Sequence, residues 1–338
     1  MSTPPLIRPP ALRPGDTIAV VSPAGPAASF LLNEVDRGIR ALERLGFKVR
    51  MMPNAQGAHR WTSGSIQERL SDLHQAFSDP TVHGVLYSIG GLHSAQLLSG
   101  LDMGLIAANP KVFCGYSDAT SLLSAVQQAT GLVTFYGPAL IPQFGELPEP
   151  YPETMEHFLR VTTETAPAGP LPRFSYQVVD MDFARQAREQ RPRDREPASQ
   201  RTVLRAGTAR GPLVAVCLPT VRDLIGTPWQ PDTTGRVLFI ETPESPYTPA
   251  QADADMWHLH NAGLLGGVAA IVLGRTLGWD PAEVEGFLES VQTCIGNLDI
   301  PLVAAVEFGH TNPILTLPNG VDVAIDNDEL TLLGSAVR

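Results

Sequence analysis

Cysteine and aromatic residues are scarce in this chain. Its 338 residues include three cysteines, Cys114, Cys217 and Cys294, and only 7% Phe, Trp and Tyr. Three is an odd number, and the spacing of these cysteines matches no metal-binding pattern, so we expect neither a disulfide framework nor a cysteine metal site. Free cysteines fit a reducing compartment, which favours a cytoplasmic location.

Long hydrophobic runs are also missing. The longest apolar stretch covers residues 263–274, well short of the about 20 residues that a membrane-spanning helix needs. The first ten residues lack the charged and apolar regions of a signal peptide. The sequence therefore predicts a cytoplasmic protein with no membrane partner.

The chain has fewer basic residues than acidic residues. The 24 Lys and Arg residues against 35 Asp and Glu residues give a net charge of -11, which argues against a nucleic-acid partner because phosphate binding needs a concentrated positive field. Residues 184–210 are the exception, with eight arginines against three acidic residues. Their low apolar content favours a solvated linker. The alternatives are a basic lid over an anionic substrate and an RNA-binding segment, which no interleaved aromatic supports.

Apolar residues, in contrast, make up 43% of the chain, enough for a sizeable core and two domains. Predicted strands and helices alternate through the first part, so the fold class is α/β, with an N-terminal parallel sheet covered by helices on both faces. Residues 314–333 are typical of a hairpin region, with turn residues at Asn319-Gly320 and Asn327-Asp328. The predicted division is an N-terminal domain at 1–165, a linker with the arginine-rich loop at 166–208 and a C-terminal domain at 209–338.

The segment 111–120 has the layout of a nucleophile elbow. An apolar strand ends at Gly115-Tyr116 and a helix begins after Ser117, so the serine hydroxyl is expected at the carboxyl edge of a sheet. The sequence G-Y-S-D-A has small residues two places on either side of the serine. The helix start directs free backbone N–H groups toward negative charge beside the serine, which makes the Asp118 amide an oxyanion donor. The alternative is an ordinary N-cap serine.

A base and an acid for this serine are available at two other strand ends. The predicted strand 237–240 ends at Glu241, and His310 follows the strand 302–306. Neutral imidazole accepts the serine proton near pH 7, and a carboxylate behind it fixes the tautomer. Each residue also has an ordinary interpretation, Glu241 as a solvated loop carboxylate and His310 as a structural histidine.

Two glycines, Gly90 and Gly91, follow an apolar strand and allow the backbone to approach a ligand closely. We place the second oxyanion donor at Gly91. A phosphate-binding loop is the alternative, but the G-x-G-x-x-G spacing and a basic residue are missing. His258 and His260 are two residues apart on a predicted helix and point to different sides, so we expect no metal and no cofactor.

Together these segments resemble the Ser-Glu-His serine peptidases that include the LD-carboxypeptidases and the microcin C self-immunity proteins. The resemblance covers nearly the whole chain, and it is closer to the microcin-immunity branch at the Gly-Gly-Leu-His-Ser, Tyr-Gly-Pro-Ala-Leu and Gly-His-Thr-Asn-Pro motifs. The matching segments are 13–25, 88–98, 115–120, 134–140, 226–228, 239–241 and 309–320. One departure is that no tryptophan lies between Trp61 and Trp229, which argues against stacking on a nucleobase.

The resemblance implies that Ser117 is the nucleophile, Glu241 the triad acid and His310 the base. It also implies a smaller, mixed β-rich C-terminal domain, a triad assembled between the domains, and a homodimer. The predicted substrate-binding residues within the matching motifs are Gly90, His93, Ser94 and Tyr136.

The predicted function is therefore a serine carboxypeptidase-type hydrolase that acts through an acyl-enzyme. The implied substrates are a murein peptide with an L,D bond or an aminoacyl-nucleotide such as processed microcin C. The alternatives are a non-catalytic binding protein on the same scaffold and a nucleotide-dependent ligase or amidotransferase. No phosphate loop supports a ligase, and Ser117 in place of a thiol argues against an amidotransferase.

Overall fold

In the computed structural model, which describes residues 4–178, 185, 188, 189 and 191–338, the first sheet is mainly parallel. Its edge strand, Leu317–Asn319, runs antiparallel to its neighbour Thr134–Tyr136, and the other neighbouring strands are parallel. In spatial order the strands are Leu317–Asn319 (β14), Thr134–Tyr136 (β5), Val112–Gly115 (β4), Gly84–Tyr87 (β3), Thr17–Val21 (β1) and Lys48–Met51 (β2).

The second sheet is mixed. Its four central strands are parallel, and antiparallel strands extend it on both sides. In spatial order the strands are Gly169–Pro170 (β6), Glu329–Leu332 (β16), Asp322–Asp326 (β15), Thr208–Cys217 (β10), Val237–Glu241 (β11), Ala270–Gly274 (β12), Leu302–Val306 (β13) and Thr202–Arg205 (β9). A separate two-stranded ribbon pairs Tyr176–Gln177 (β7) with Glu196–Pro197 (β8).

Helices connect these strands, and their ends follow local sequence signals. Ser65 and Glu68 form a capping box at the start of the helix Ile66–Ser78. The helix Thr120–Thr130 is followed by Gly131, which adopts a left-handed conformation with φ of 76°. The α-helices of the described residues are Leu32–Arg44 (α1), Ile66–Ser78 (α2), Met103–Ala108 (α3), Thr120–Thr130 (α4), Pro152–Thr163 (α5), Leu218–Arg222 (α6), Pro249–Asn261 (α7) and Pro281–Ile295 (α8).

The two sheets exchange strands across the predicted domain boundaries. β14 comes from the predicted C-terminal domain but pairs with the first sheet, and β6 and β9 come from the predicted linker but extend the second. The hairpin at Asn327-Asp328 joins β15 to β16 as predicted. Asn319-Gly320 is not a hairpin turn, because the strands on its two sides belong to different sheets.

Side-chain contacts fix the two sheets against each other beside the nucleophile elbow. The Cys217 amide donates to Thr120 Oγ1 at 2.9 Å, and the Ala215 amide donates to Asn319 Oδ1 at 2.7 Å. One buried apolar cluster includes residues of both sheets, among them Phe135 and Phe239. The first contact brings the carboxyl end of β10 to the start of α4, and the end of β11 lies beside it because Cys217 pairs in register with Glu241. Among the described residues, no helix has both the length and the apolar character needed to cross a membrane.

Candidate active site

Ser117 lies on a tight, strained turn between β4 and α4. Its φ is 61°, a left-handed conformation that is uncommon outside glycine and marks a turn held by its surroundings. A short 3₁₀ turn over Ser117–Ala119 leads directly into α4. The strand, turn and helix therefore follow the predicted nucleophile-elbow layout.

The side chain of Tyr136 supports this turn by a hydrogen bond to its backbone. It is the last residue of β5 and pairs in register with Gly115 of the elbow strand. The Ser117 amide donates to the Tyr136 hydroxyl at 2.9 Å, and that hydroxyl donates to Glu241 Oε1 at 2.5 Å. Burial, together with the charge of Glu241, raises the pKa of the Tyr136 phenol, so the hydroxyl stays protonated and keeps donating. Tyr136 thus links the elbow to the acid.

Glu241 and His310 form a buried pair. Glu241 is the last residue of β11, and its Oε2 lies 2.7 Å from His310 Nδ1. With Tyr136 on the other oxygen, both oxygens of the Glu241 carboxylate have a partner. This geometry places a proton on His310 Nδ1 and leaves Nε2 to act on a substrate or nucleophile.

The pKa of His310 is raised. Burial alone lowers it, but the charge and hydrogen bond of Glu241 and the charge of Glu244 outweigh burial. A base must be neutral, so we expect kcat/KM to fall with decreasing pH at a midpoint above the ordinary histidine value of about 6.5. A pH profile of kcat/KM checks this, and a midpoint at or below about 6.5 contradicts it.

Gly90 and Gly91 face the serine and leave no room for side chains. A Cβ on Gly90 would lie 3.0 Å from Ser117 Cβ and 3.6 Å from the Asp118 amide nitrogen. Gly91 has a φ of 156°, and a Cβ there would lie 2.7 Å from the Gly25 amide nitrogen. The backbone of this loop therefore approaches the Ser117 turn closely, as the predicted oxyanion pocket requires.

We expect Gly91→Ala to lower kcat by about 10²- to 10³-fold, the usual cost of losing one oxyanion donor. The added methyl group overlaps the Gly25 backbone, so the loop must shift. A matched control is Gly286→Ala, because Gly286 lies in α8 and its Cβ position meets no atom within 4 Å. Steady-state kinetics measure both, and a Gly91→Ala enzyme with unchanged kcat would remove Gly91 from the oxyanion pocket.

The carboxylate of Asp118 has a contact that the sequence analysis did not predict. Its Oδ2 accepts from the His93 amide at 3.0 Å and from the Ser94 amide at 2.8 Å. Asp118 therefore fastens the segment after Gly91 to the elbow. Its backbone amide remains the predicted oxyanion donor.

Two cavities meet at Ser117 and His310. One has a volume of about 200 Å³ and includes Gly90 and Tyr116 in its lining, and the other has about 360 Å³ and extends to Tyr247. The residues common to both linings are Gly91, Ser117, Glu244 and His310. This arrangement offers one space to each side of a bond held at Ser117.

The four predicted substrate-binding residues separate into two groups. Gly90 lines the smaller cavity. His93, Ser94 and Tyr136 do not appear in the described lining of either cavity. Ser94 and Tyr136 are buried, and the backbone amides of His93 and Ser94 bind Asp118. The structure thus shows supporting contacts for these three residues, and their contact with a ligand stays a prediction.

The thiol of Cys114 is not suited to act as the nucleophile in place of Ser117. It is buried in β4, and burial raises the pKa of its thiol. Among the described residues no cluster of His, Cys, Asp or Glu has the arrangement of a metal site.

The arginine-rich segment is anchored by partners elsewhere in the chain. Arg193 forms a buried ion pair with Glu146, and Arg201 forms one with Glu307 at 2.7 Å. Arg193 also donates to the carbonyl oxygen of Pro142, a lining residue of the smaller cavity. Arg193 and Arg201 are therefore neither solvated nor free to bind an anionic substrate, because the charge of each is paired with a buried glutamate.

Comparison with known proteins gives consistent matches over the whole chain. A family model described as the LD-carboxypeptidase N-terminal domain matches residues 18–137, and one described as the C-terminal domain matches residues 210–325. A Bacillus subtilis protein named "Probable murein peptide carboxypeptidase" is 33% identical, covering 96% of this chain and 93% of its own. The Escherichia coli microcin C7 self-immunity protein MccF is also 33% identical, covering 93% and 91%.

A solved structure of MccF in complex with aspartyl sulfamoyl adenosine has the same fold, with a TM-score of 0.91 and 30% identity over 98% of this chain and 100% of that one. Fold and matches together define a two-domain α/β enzyme of the serine peptidase class. The chain belongs to the LD-carboxypeptidase family.

Proposed function

We propose that this chain is a serine carboxypeptidase that cleaves a C-terminal amide of a small peptide-like substrate through an acyl-enzyme. The supporting observation is the arrangement around one cleft: Ser117 on a strained turn, and His310 hydrogen-bonded through Nδ1 to the buried carboxylate of Glu241. Serine, imidazole and carboxylate in these roles are the requirements of nucleophilic acyl transfer.

In the first half-reaction Ser117 Oγ attacks the scissile carbonyl carbon while His310 Nε2 accepts the hydroxyl proton. The carbonyl π electrons move to the oxygen, and the backbone amides of Gly91 and Asp118 stabilise the negative charge. Glu241 stabilises the imidazolium through Nδ1. The tetrahedral intermediate then collapses, the C–N bond breaks, and His310 donates its proton to the leaving amine.

In the second half-reaction water replaces the amine. His310 Nε2 removes a proton from water, the resulting hydroxide attacks the ester carbonyl, and Ser117 leaves with the proton returned by His310. Tyr136 acts as a positioning residue in both halves, because its hydroxyl fixes the Ser117 amide and Glu241 at the same time.

Two substrate classes follow from the relatives. One relative is named a murein peptide carboxypeptidase, and MccF was solved with an aminoacyl sulfamoyl nucleoside. The chain is 33% identical in sequence to the murein peptide carboxypeptidase and to MccF, so sequence identity does not distinguish the two substrate classes. The described lining of the two cavities contains no lysine or arginine to bind either a phosphate or the C-terminal carboxylate of an L,D-peptide, so the charge of the cleft does not distinguish the two classes either.

Mass spectrometry of reaction products tests the proposal. The protein is incubated separately with a murein tetrapeptide and with an aminoacyl-adenylate analogue whose phosphate link resists hydrolysis, and Ser117→Ala is the matched control. Release of D-alanine establishes an LD-carboxypeptidase, and release of the amino acid from the nucleotide establishes the immunity-type activity. Binding of either compound without product from the parent protein would favour the non-catalytic alternative.

We also propose that the protein is a homodimer, as the family resemblance implies, and that it lies in the cytoplasm, which its free cysteines favour. Size-exclusion chromatography with light scattering measures the mass in solution. Twice the mass of the 36.3 kDa chain supports the dimer, and a single chain mass contradicts it.

A further inference from the structure

Glu244 places a second carboxylate beside the imidazole, on the side opposite to Glu241. Its Oε2 lies 3.6 Å from His310 Nε2, the nitrogen that faces the cleft. This distance exceeds that of a hydrogen bond. Among the described residues Oε2 has no hydrogen-bond partner, although it is shielded from solvent while the side chain as a whole is 43% exposed. A shielded carboxylate oxygen without a donor is costly and indicates a place for a ligand donor.

The loop that carries Glu244 is fixed by several contacts. The Tyr247 amide donates to the Glu244 carbonyl oxygen at 3.2 Å, and the Tyr247 hydroxyl donates to Asp255 at 2.7 Å. Trp279 Nε1 donates to the Tyr247 carbonyl oxygen at 3.2 Å. These contacts hold the backbone that carries the carboxylate at the junction of the two cavities before any ligand arrives, which limits the entropy cost of a selective contact.

The charge around this junction is one-sided. Glu244 lines both cavities, and their described linings include neither lysine nor arginine. A carboxylate on the acyl residue, if held beside Glu244, would meet like charge and find no lysine or arginine in these described linings. An ammonium group would gain a charge-assisted hydrogen bond.

We propose that Glu244 selects the substrate by accepting a hydrogen bond from a free ammonium group on the acyl residue. The proposal rests on the proposed hydrolase function and adds a preference within it: acyl residues with a free amine are favoured and acidic acyl residues are disfavoured. The amine is either the α-ammonium or a side-chain ammonium of a diamino acid, because both place the same donor near the scissile carbonyl.

The test compares kcat/KM for four substrates that share D-alanine as the leaving group. They are N-acetyl-L-lysyl-D-alanine, N-acetyl-L-norleucyl-D-alanine, N-acetyl-L-glutamyl-D-alanine and L-norleucyl-D-alanine with its α-amine free. We expect at least one free-amine substrate to exceed acetyl-norleucyl-D-alanine by about 10- to 100-fold, the size of a hydrogen bond to a charged group. The acetyl-glutamyl substrate is expected to fall below it. The two free-amine arms distinguish side-chain from α-ammonium recognition.

The decisive variant is Glu244→Gln, with Glu285→Gln as the matched control, because Glu285 is an exposed glutamate of α8 outside both described cavity linings. The amide keeps the size but removes the charge, so the ratio of the preferred to the neutral substrate is expected to fall to within about 3-fold of unity, since little of the charged contact remains. Glu285→Gln is expected to keep the ratio. An unchanged ratio in Glu244→Gln, or an equal loss with every substrate, overturns the proposal.

Binding measurements separate this proposal from the hydrolase proposal. Calorimetry of the four peptides with Ser117→Ala, and with Ser117→Ala combined with Glu244→Gln, reads the ammonium preference without turnover. Peptides that bind with the preference but are never cleaved count against the hydrolase function alone. Peptides that bind without the preference, or do not bind, count against the role of Glu244.

Discussion

Ser117→Ala is expected to lower kcat by about 10⁴- to 10⁶-fold while leaving ligand binding within about 3-fold of the parent value. The substitution removes the Oγ atom that forms the acyl bond. The thiols of Cys114 and of Cys217, which lines the larger cavity, do not replace it, because both are buried and burial raises the pKa of each. Alanine keeps the Ser117 amide that donates to Tyr136, so the turn is expected to persist. Product formation is measured by mass spectrometry and binding by calorimetry.

A serine outside the cleft provides the matched control for that result. Ser78 is exposed at the end of α2, and Ser78→Ala is expected to keep the parent kcat. Circular dichroism verifies that both variants are folded. A folded Ser117→Ala enzyme that keeps more than about a tenth of the parent kcat would show that the chemistry does not pass through Ser117.

Glu241→Gln is expected to lower kcat by about 10³- to 10⁴-fold, because it disturbs the tautomer of His310. Glu241 accepts from Tyr136 at Oε1 and from His310 at Oε2. Glutamine has one oxygen and one NH₂ group. If its oxygen keeps the Tyr136 bond, its NH₂ group donates to His310 Nδ1, which moves the histidine proton to Nε2 and blocks proton transfer from Ser117.

The loss of activity in Glu241→Gln is expected to follow a different pattern from the loss in Glu244→Gln. The first lowers turnover of every substrate, while the second changes the ratio between substrates. Steady-state kinetics on the same four dipeptides measure both. A Glu241→Gln enzyme with kcat within about 10-fold of the parent would mean that Glu241 does not orient the base.

Much of the fold follows from local patterns. Alternating strands and helices predicted the first sheet, and the capping residues Ser65 and Asp280 mark where two helices begin. β14 was not predictable in this way. Its three residues join a sheet whose other strands all lie far earlier in the chain, and a pairing of that kind depends on how the two sheets pack.

The candidate site likewise has residues that the sequence predicts and contacts that it does not predict. Ser117, Glu241 and His310 each stand at or just after a strand end, which a sequence displays directly. The contacts of Tyr136 with Glu241 and of Arg201 with Glu307 join residues about a hundred positions apart, and no local pattern encodes them. One signal was available for Tyr136: it ends the strand next to the elbow strand, where parallel neighbours meet at one sheet edge.

Covalent capture of the nucleophile tests the central claim most directly. The protein is treated with a fluorophosphonate, which forms a stable ester with an activated serine, and the adduct is located by peptide mapping with mass spectrometry. The account predicts one adduct, on Ser117, that is absent from Ser117→Ala and much slower to form in His310→Ala. An adduct on another residue, or equal labelling of His310→Ala, would contradict a nucleophile at Ser117 activated by His310.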